Sequence, residues 1–256
     1  MGRVVLVTGE SAGLGRTTAD LLAQQGWTVV GASRRGTGGP GWRGLVMDVD
    51  SDESVAAGVR QVLTDHRRVD ALVTAAGWGL AGPAETTSLG EARAQLETNF
   101  WGTVRVTTGL LTHLRANGGG RVVLISSIGG RIAIPFQSYY SASKFALEGW
   151  AEALAYEVAP FNVGVTLVEP GNFRTDFTAN RRGAAGPSGP YEAALRLAVA
   201  VMERDERNGA DPAEVARVVA RQLHADTPRR RVSAGKCGER VGLVAKRLLP
   251  HRWFEA

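Results

Sequence analysis

Seven short runs of apolar, mostly β-branched residues recur along this chain, at 3–8, 28–33, 45–49, 71–75, 121–126, 164–168 and 231–234. Nearly all are apolar throughout rather than alternating, so a strand built from any of them must be covered on both faces. Helix-compatible stretches separate them, at 14–25, 52–66, 92–116, 139–158 and from 211 to about 224. Strand and helix in alternation predict an α/β fold, a parallel sheet with helices on both sides. Val55, Val59, Val62 and Leu63 lie at i, i+4, i+7 and i+8 in the second helix, after Asp50 and Glu53 spaced as a capping pair. "DPAE" at 211–214 supplies an acidic N-cap, proline at N1 and glutamate at N3.

The 256 residues carry no Pro/Ser-rich linker and are 44% hydrophobic, which predicts one domain over 1–256. Cys237 stands alone and the four histidines lack ligand spacing, so neither a disulfide framework nor a metal site is expected. Met1 leads straight into "RVVLVTGE", without the pattern of a secretory leader, and no apolar run approaches the ~20 residues of a membrane span. A soluble, cytoplasmic protein is the expectation. The formal charge of +5 is concentrated at one end: eight basic residues between 229 and 252 face only Glu239. The basic segment 229–256 is read as a solvated closing stretch, with weak contact to an anionic membrane surface as its alternative and no nucleic-acid partner.

"VTGESAGLG" joins the first strand to the first helix, with glycines at 9, 13 and 15. Such a loop lets the backbone approach a ligand, and the amides and dipole of a helix N-terminus then hold a pyrophosphate. About 20 residues on, where an NAD site places a carboxylate for the ribose 2′-OH, the chain reads "GASRRGTGG". Arg34 and Arg35 suit a 2′-phosphate, through charge-assisted forked hydrogen bonds, so NADP(H) is favoured over NAD(H).

"SYYSASKFALEG", 138–149, sets two tyrosines before a lysine. On a helix Tyr140 and Lys144 share a face, with Cβ atoms roughly 5–6 Å apart, whereas Tyr139 points elsewhere. At about 5 Å and an effective dielectric near 20 the ammonium stabilises a phenolate by about 3 kcal/mol, or roughly two pK units. Burial opposes the shift. A phenol near pH 7 to 8 can exchange a proton with an alkoxide or an alcohol.

"TGESAGLG", "AAG" at 75–77, Asn99 in "TNFWG", the serine before "IGG", "YSASK" and "PGNFRTDF" together resemble the short-chain dehydrogenase/reductase family in its roughly 250-residue form, in the right order from 4 to 177. "GWGLAGPAE", "SSIGG" and "ASKFALEG" are further similar to the branch with 17β-hydroxysteroid and retinol dehydrogenases. The resemblance implies a single-domain Rossmann fold, a doubly wound and mostly parallel seven-stranded sheet. It makes Tyr140 the general acid/base and Lys144 the residue that lowers its pKa and holds the nicotinamide ribose, with Asn99, Tyr140 and Lys144 all counted among the cofactor contacts. Ser127, thirteen residues before Tyr140, becomes the oxyanion donor in preference to Ser126, and Asn99 the anchor of a proton-relay water. It assigns Gly9, Ser11, Gly13, Leu14 and Gly15 to the pyrophosphate side, Arg34 to the 2′-phosphate, Asp48 and Val49 to the adenine, Ala76 and Gly77 to the adjoining cofactor wall, and Pro170, Gly171, Phe173 and Thr175 to the nicotinamide. Two residues depart from the pattern. Glu10 replaces a small residue and is expected to point to solvent; Ala75 replaces an asparagine that contacts the adenine ribose.

Trp78, Leu80, Ile128 and Phe136 are expected to wall the substrate slot beside Ser127, under a mobile lid at about 174–208 that is rich in Gly, Ala and Pro. Apolar walls point to a hydrophobic ketone, aldehyde or alcohol. The expected activity is NADPH-dependent carbonyl reduction. Its rivals are the same site working oxidatively on NAD⁺ or NADP⁺, and a non-catalytic NADP(H)-sensing scaffold, which would need none of the proton-transfer groups. The resemblance also implies a homodimer or homotetramer.

Overall fold

The computed structural model describes residues 2–248, so the last part of the basic segment, 249–256, lies outside the described residues. The chain begins with β1 (Val4–Thr8), α1 (Gly13–Gln24), β2 (Thr28–Ser33), β3 (Arg43–Val46), α2 (Asp52–Asp65) and β4 (Ala71–Thr74). A two-residue β5 (Leu80–Ala81), α3 (Leu89–Leu96), a π-helical turn (Glu97–Gly102) and α4 (Thr103–Ala116) follow. β6 (Gly120–Ile125), α5 (Ser138–Val158) and β7 (Val163–Pro170) precede a short α6 (Phe177–Asn180) and β8 (Arg182–Gly183). The chain closes with α7 (Glu192–Arg207), α8 (Ala213–His224), β9 (Arg231–Ala234) and α9 (Cys237–Leu248).

All seven expected strands enter one sheet, in the order β3-β2-β1-β4-β6-β7-β9, and every pairing in it is parallel. Alternate residues of the buried strands feed two cores. Leu6, Leu72, Val122 and Leu124 meet α2, α4 and α5 through Val59, Leu110 and Leu147. Val5, Val73, Val123 and Val168 meet α1 and α8 through Leu22, Val215 and Val219. Strands apolar on both faces thus follow from helices on both faces, a doubly wound Rossmann arrangement. The chain order reverses between β1 and β4, where the crevice at the carboxyl ends of the strands forms.

Three boundaries differ from expectation for local reasons. The helix expected at 92–116 is interrupted by the π turn, and it starts earlier because Ser88 and Glu91 form a reciprocal capping box. Ser51, not Asp50, caps α2, its hydroxyl accepting from the Ser54 amide at 3.2 Å. In the expected lid, β8 pairs with β5, and α7 carries no fully buried residue. No described helix is long and apolar enough to cross a membrane, and no group of metal-ligating side chains occurs among the described residues.

Candidate active site

A cavity of about 960 Å³ opens along the switch point. At one end it meets the loop between β1 and α1. Gly9 turns there at φ 74°, and a Cβ on it would lie 2.6 Å from the Ala76 amide. Gly9, Ser11, Gly13 and Leu14 line the cavity. Gly15 does not: it packs α1 onto the strand end, where a Cβ would come within 2.3 Å of the Gly9 carbonyl. Arg34, Arg35, Asp48, Val49, Ala75, Ala76 and Gly77 continue the wall, and Pro170, Gly171, Phe173 and Thr175 face them.

The other end holds Ser127, Tyr140 and Lys144. The last two stand four residues apart on the buried stripe of α5. Tyr139 lies outside the lining and its phenol donates to the Ala84 carbonyl at 3.4 Å. Ser127 extends from the end of β6; its Oγ accepts from the Gly129 amide at 3.0 Å, which leaves its own proton for another acceptor. Across Gly130, Ser126 faces Glu148. Asn99 sits on the π turn, fully buried; its Oδ1 accepts from the Trp78 amide at 3.0 Å, and its Nδ2 donates to the Trp78 carbonyl and to Ser143 Oγ. The π turn aims this amide at the 77–78 loop, a common use of such bulges.

Electrostatics at the pair depart from the spacing argument. Burial pushes the Tyr140 phenol above its ordinary value; a hydrogen bond with Ser127 pulls it back, as does Arg181, while Glu206 raises it. Burial also lowers Lys144 to about 8, with Glu148 opposing, and its Nζ donates to the Ile125 carbonyl at 2.9 Å. The phenol near pH 7 to 8 is therefore not realised in this structure. Desolvation penalises the phenolate more than Ser127 and the charge of Arg181 relieve it, and Lys144 Nζ is turned to the Ile125 carbonyl.

The substrate end also differs from expectation. Trp78 and Ile128 line the cavity; Leu80 and Phe136 do not. Leu80 is consumed by the β5–β8 pairing. Phe136 adopts φ 59° and turns its ring to Tyr191, 6.5 Å between centroids. In their place stand Ile134, Gln137, Phe177 and Met202, and at the rim Arg182 and Glu206. Phe177 packs edge-on to Tyr140 at 5.8 Å, and Arg182 lies 4.3 Å over the Trp78 ring. Glu206 binds Thr178 at 2.5 Å and forms an ion pair with the buried side chain of Arg181, joining α6 to α7 beside the phenol. Glu239, from the basic segment, accepts from the backbone and the side-chain amide of Asn172, both at 2.8 Å, and so braces the 170–173 loop. The sequence reading missed Phe177, Glu206 and Glu239. Glu239 alone had a signal, as the lone acid of a basic stretch. Glu10 is overturned outright: it is completely buried beside Ser33, because the missing side chain of Gly31 leaves it room.

A 3-ketodihydrosphingosine reductase of Bacteroides thetaiotaomicron is 38% identical over 256 residues, covering 99% of this chain and 95% of that enzyme. Estradiol 17-beta-dehydrogenase 1 of Rattus norvegicus is 38% identical over 208 residues, 75% of this chain and 59% of that protein. The crystal structure of a short-chain dehydrogenase from Streptomyces avermitilis superposes with a TM-score of 0.84 at 33% identity, covering 96% of this chain and 92% of that one. The short chain dehydrogenase family matches residues 3–185, and with these relatives it establishes that the chain belongs to that family of oxidoreductases.

Proposed function

We propose that the protein reduces a hydrophobic ketone or aldehyde with NADPH, and runs in reverse as an alcohol dehydrogenase. The observation that carries this reading is one continuous cavity with two arginines at one end and the Ser127–Tyr140–Lys144 group at the other. A dinucleotide fits the residues present. The close turn at Gly9 and the free amides at the start of α1 suit a pyrophosphate, and Arg34 and Arg35, exposed at the cavity wall, suit a 2′-phosphate. When bound, the reduced nicotinamide supplies a hydride to the carbonyl carbon.

Ser127 donates its hydroxyl proton to the carbonyl oxygen and holds it as negative charge develops. Tyr140, which lines the cavity with Ser127, hands its proton to the same oxygen. Its raised pKa keeps the phenol protonated at neutral pH, the form needed for reduction. Lys144, mostly charged below pH 8, faces the phenol's side of α5 and holds the ribose hydroxyls. Trp78, Ile128, Phe177 and Met202 supply apolar contact for the substrate, and a relative that acts on 3-ketodihydrosphingosine supports a long apolar ketone.

The test is oxidation of NADPH and of NADH by the pure protein with 3-ketodihydrosphingosine, a steroid ketone, a retinoid aldehyde and a small polar ketone. Turnover of an apolar carbonyl with NADPH is expected. A kinetic preference for NADH contradicts the cofactor reading, and cofactor binding without turnover across the panel supports the silent scaffold instead.

A further inference from the structure

Glu10 follows the first glycine of the phosphate loop, and its side chain runs beneath the end of β2. The space it fills exists because residue 31 is glycine: a Cβ there would lie 2.4 Å from Glu10 Cγ and 2.3 Å from the Trp42 ring. Glu10 Oε1 accepts the hydroxyl proton of Ser33, the last residue of β2, at 2.9 Å. With its proton so committed, Ser33 Oγ turns its lone pairs to the amides of Arg35 and Gly36, at 3.3 and 3.1 Å. The Ser33 carbonyl meanwhile accepts from Gly36 and Met47. A buried carboxylate thus organises, through one hydroxyl, the turn that presents Arg34 and Arg35 to the cavity. Its other oxygen, Oε2, is buried with no hydrogen-bond partner within the chain. Desolvation raises its pKa, while Ser33, the backbone of Thr37 and the charge of Arg35 draw it down.

We infer that Glu10 is a positioning residue that sets the preference for a 2′-phosphorylated cofactor, acting in two opposed ways. Through Ser33 it holds the arginine turn in place. Through its charge, felt by Arg35, it weakens the attraction of that turn for phosphate. An NAD site puts its carboxylate where the ribose hydroxyl can reach it; here the carboxylate stands outside the cavity lining, with Ser33 between. The inference rests on the NADPH reading above.

The two contributions separate by substitution. Glu10→Gln keeps an acceptor for Ser33 and removes the charge; Glu10→Ala and Ser33→Ala each break the relay. Isothermal titration calorimetry of NADPH and NADH against the whole proteins gives the affinity ratio, which a general loss of stability does not move. The ratio in favour of NADPH rises at least about threefold in Glu10→Gln, as loss of an opposing charge near a phosphate requires. It falls about tenfold in Ser33→Ala, where the turn loses its hydrogen bonds and the carboxylate charge stays, and by less in Glu10→Ala, where loss of the charge offsets part of the fall. Should Glu10→Ala fail to fold, Ser33→Ala reads the same relay from its other end. A wild-type protein that binds NADPH more tightly, with that ratio unchanged in the variants, overturns the role of Glu10 and leaves the cofactor reading standing. A wild-type preference for NADH overturns both.

Discussion

Replacing Lys144 with methionine removes a charge that the fold holds at a cost. Burial lowers the lysine from its ordinary 10.5 to about 8. Below about pH 8 the group is charged in the folded and the unfolded chain alike, and the folded state carries the full desolvation penalty. Between about pH 8 and 10.5 the unfolded chain keeps a proton that the folded chain has released, so the penalty is relieved and wild-type stability rises with pH. At about 1.4 kcal/mol per pK unit the rise totals about 3 kcal/mol. Methionine fills similar space without titrating; it gives up the 2.9 Å bond to the Ile125 carbonyl, a loss of about 1 kcal/mol that does not depend on pH. Lys144→Met is therefore expected to be more stable than wild type by about 2 kcal/mol near neutrality, and less stable by about 1 kcal/mol above pH 10. Urea unfolding of the cofactor-free proteins in steps from pH 7 upward reads this difference directly. Two stability curves that stay parallel over that range refute the claim that the ammonium is desolvated.

Other substitutions probe the rest of the site. Ser127→Ala removes the donor proposed for the carbonyl oxygen, and kcat is expected to fall by about 10²–10³ with KM for NADPH little changed; steady-state kinetics at saturating cofactor decides it. Glu239→Ala frees Asn172 and the 170–173 loop, and should weaken NADPH binding about tenfold by calorimetry while thermal stability shifts little.

Much of this architecture was legible because burial on both faces leaves a direct mark: apolar runs such as 71–73 and 122–125 read as central strands. Tyr140 and Lys144 were legible from helical spacing, since α5 is regular through both. The π turn at Asn99 was not, because i→i+5 bonding leaves no periodic signature and a 92–116 helix reads as unbroken. Leu80 and Phe136 were misplaced because an apolar residue near a site says nothing about direction; a short strand pairing and a left-handed backbone turned them away. Glu10 was misread for a related reason. Its burial depends on a glycine 21 positions later and on Trp42, neither local to the motif. The phenol's pKa failed because helical spacing predicts a Coulomb attraction to Lys144, whereas the folded cleft turns Lys144 Nζ to the Ile125 carbonyl and buries the phenol, and neither is visible in the spacing.

The central claim is that Tyr140 delivers the proton, while the glycine loop and the arginines that suit the phosphates lie at the other end of the cavity. Its most direct test is stopped-flow absorbance of bound NADPH, in wild type and Tyr140→Phe, mixed with 3-ketodihydrosphingosine or whichever apolar carbonyl the wild type turns over. The account predicts unchanged NADPH affinity and a rate of cofactor oxidation reduced by about 10²–10⁴ in the variant. Oxidation at the wild-type rate by Tyr140→Phe would contradict it.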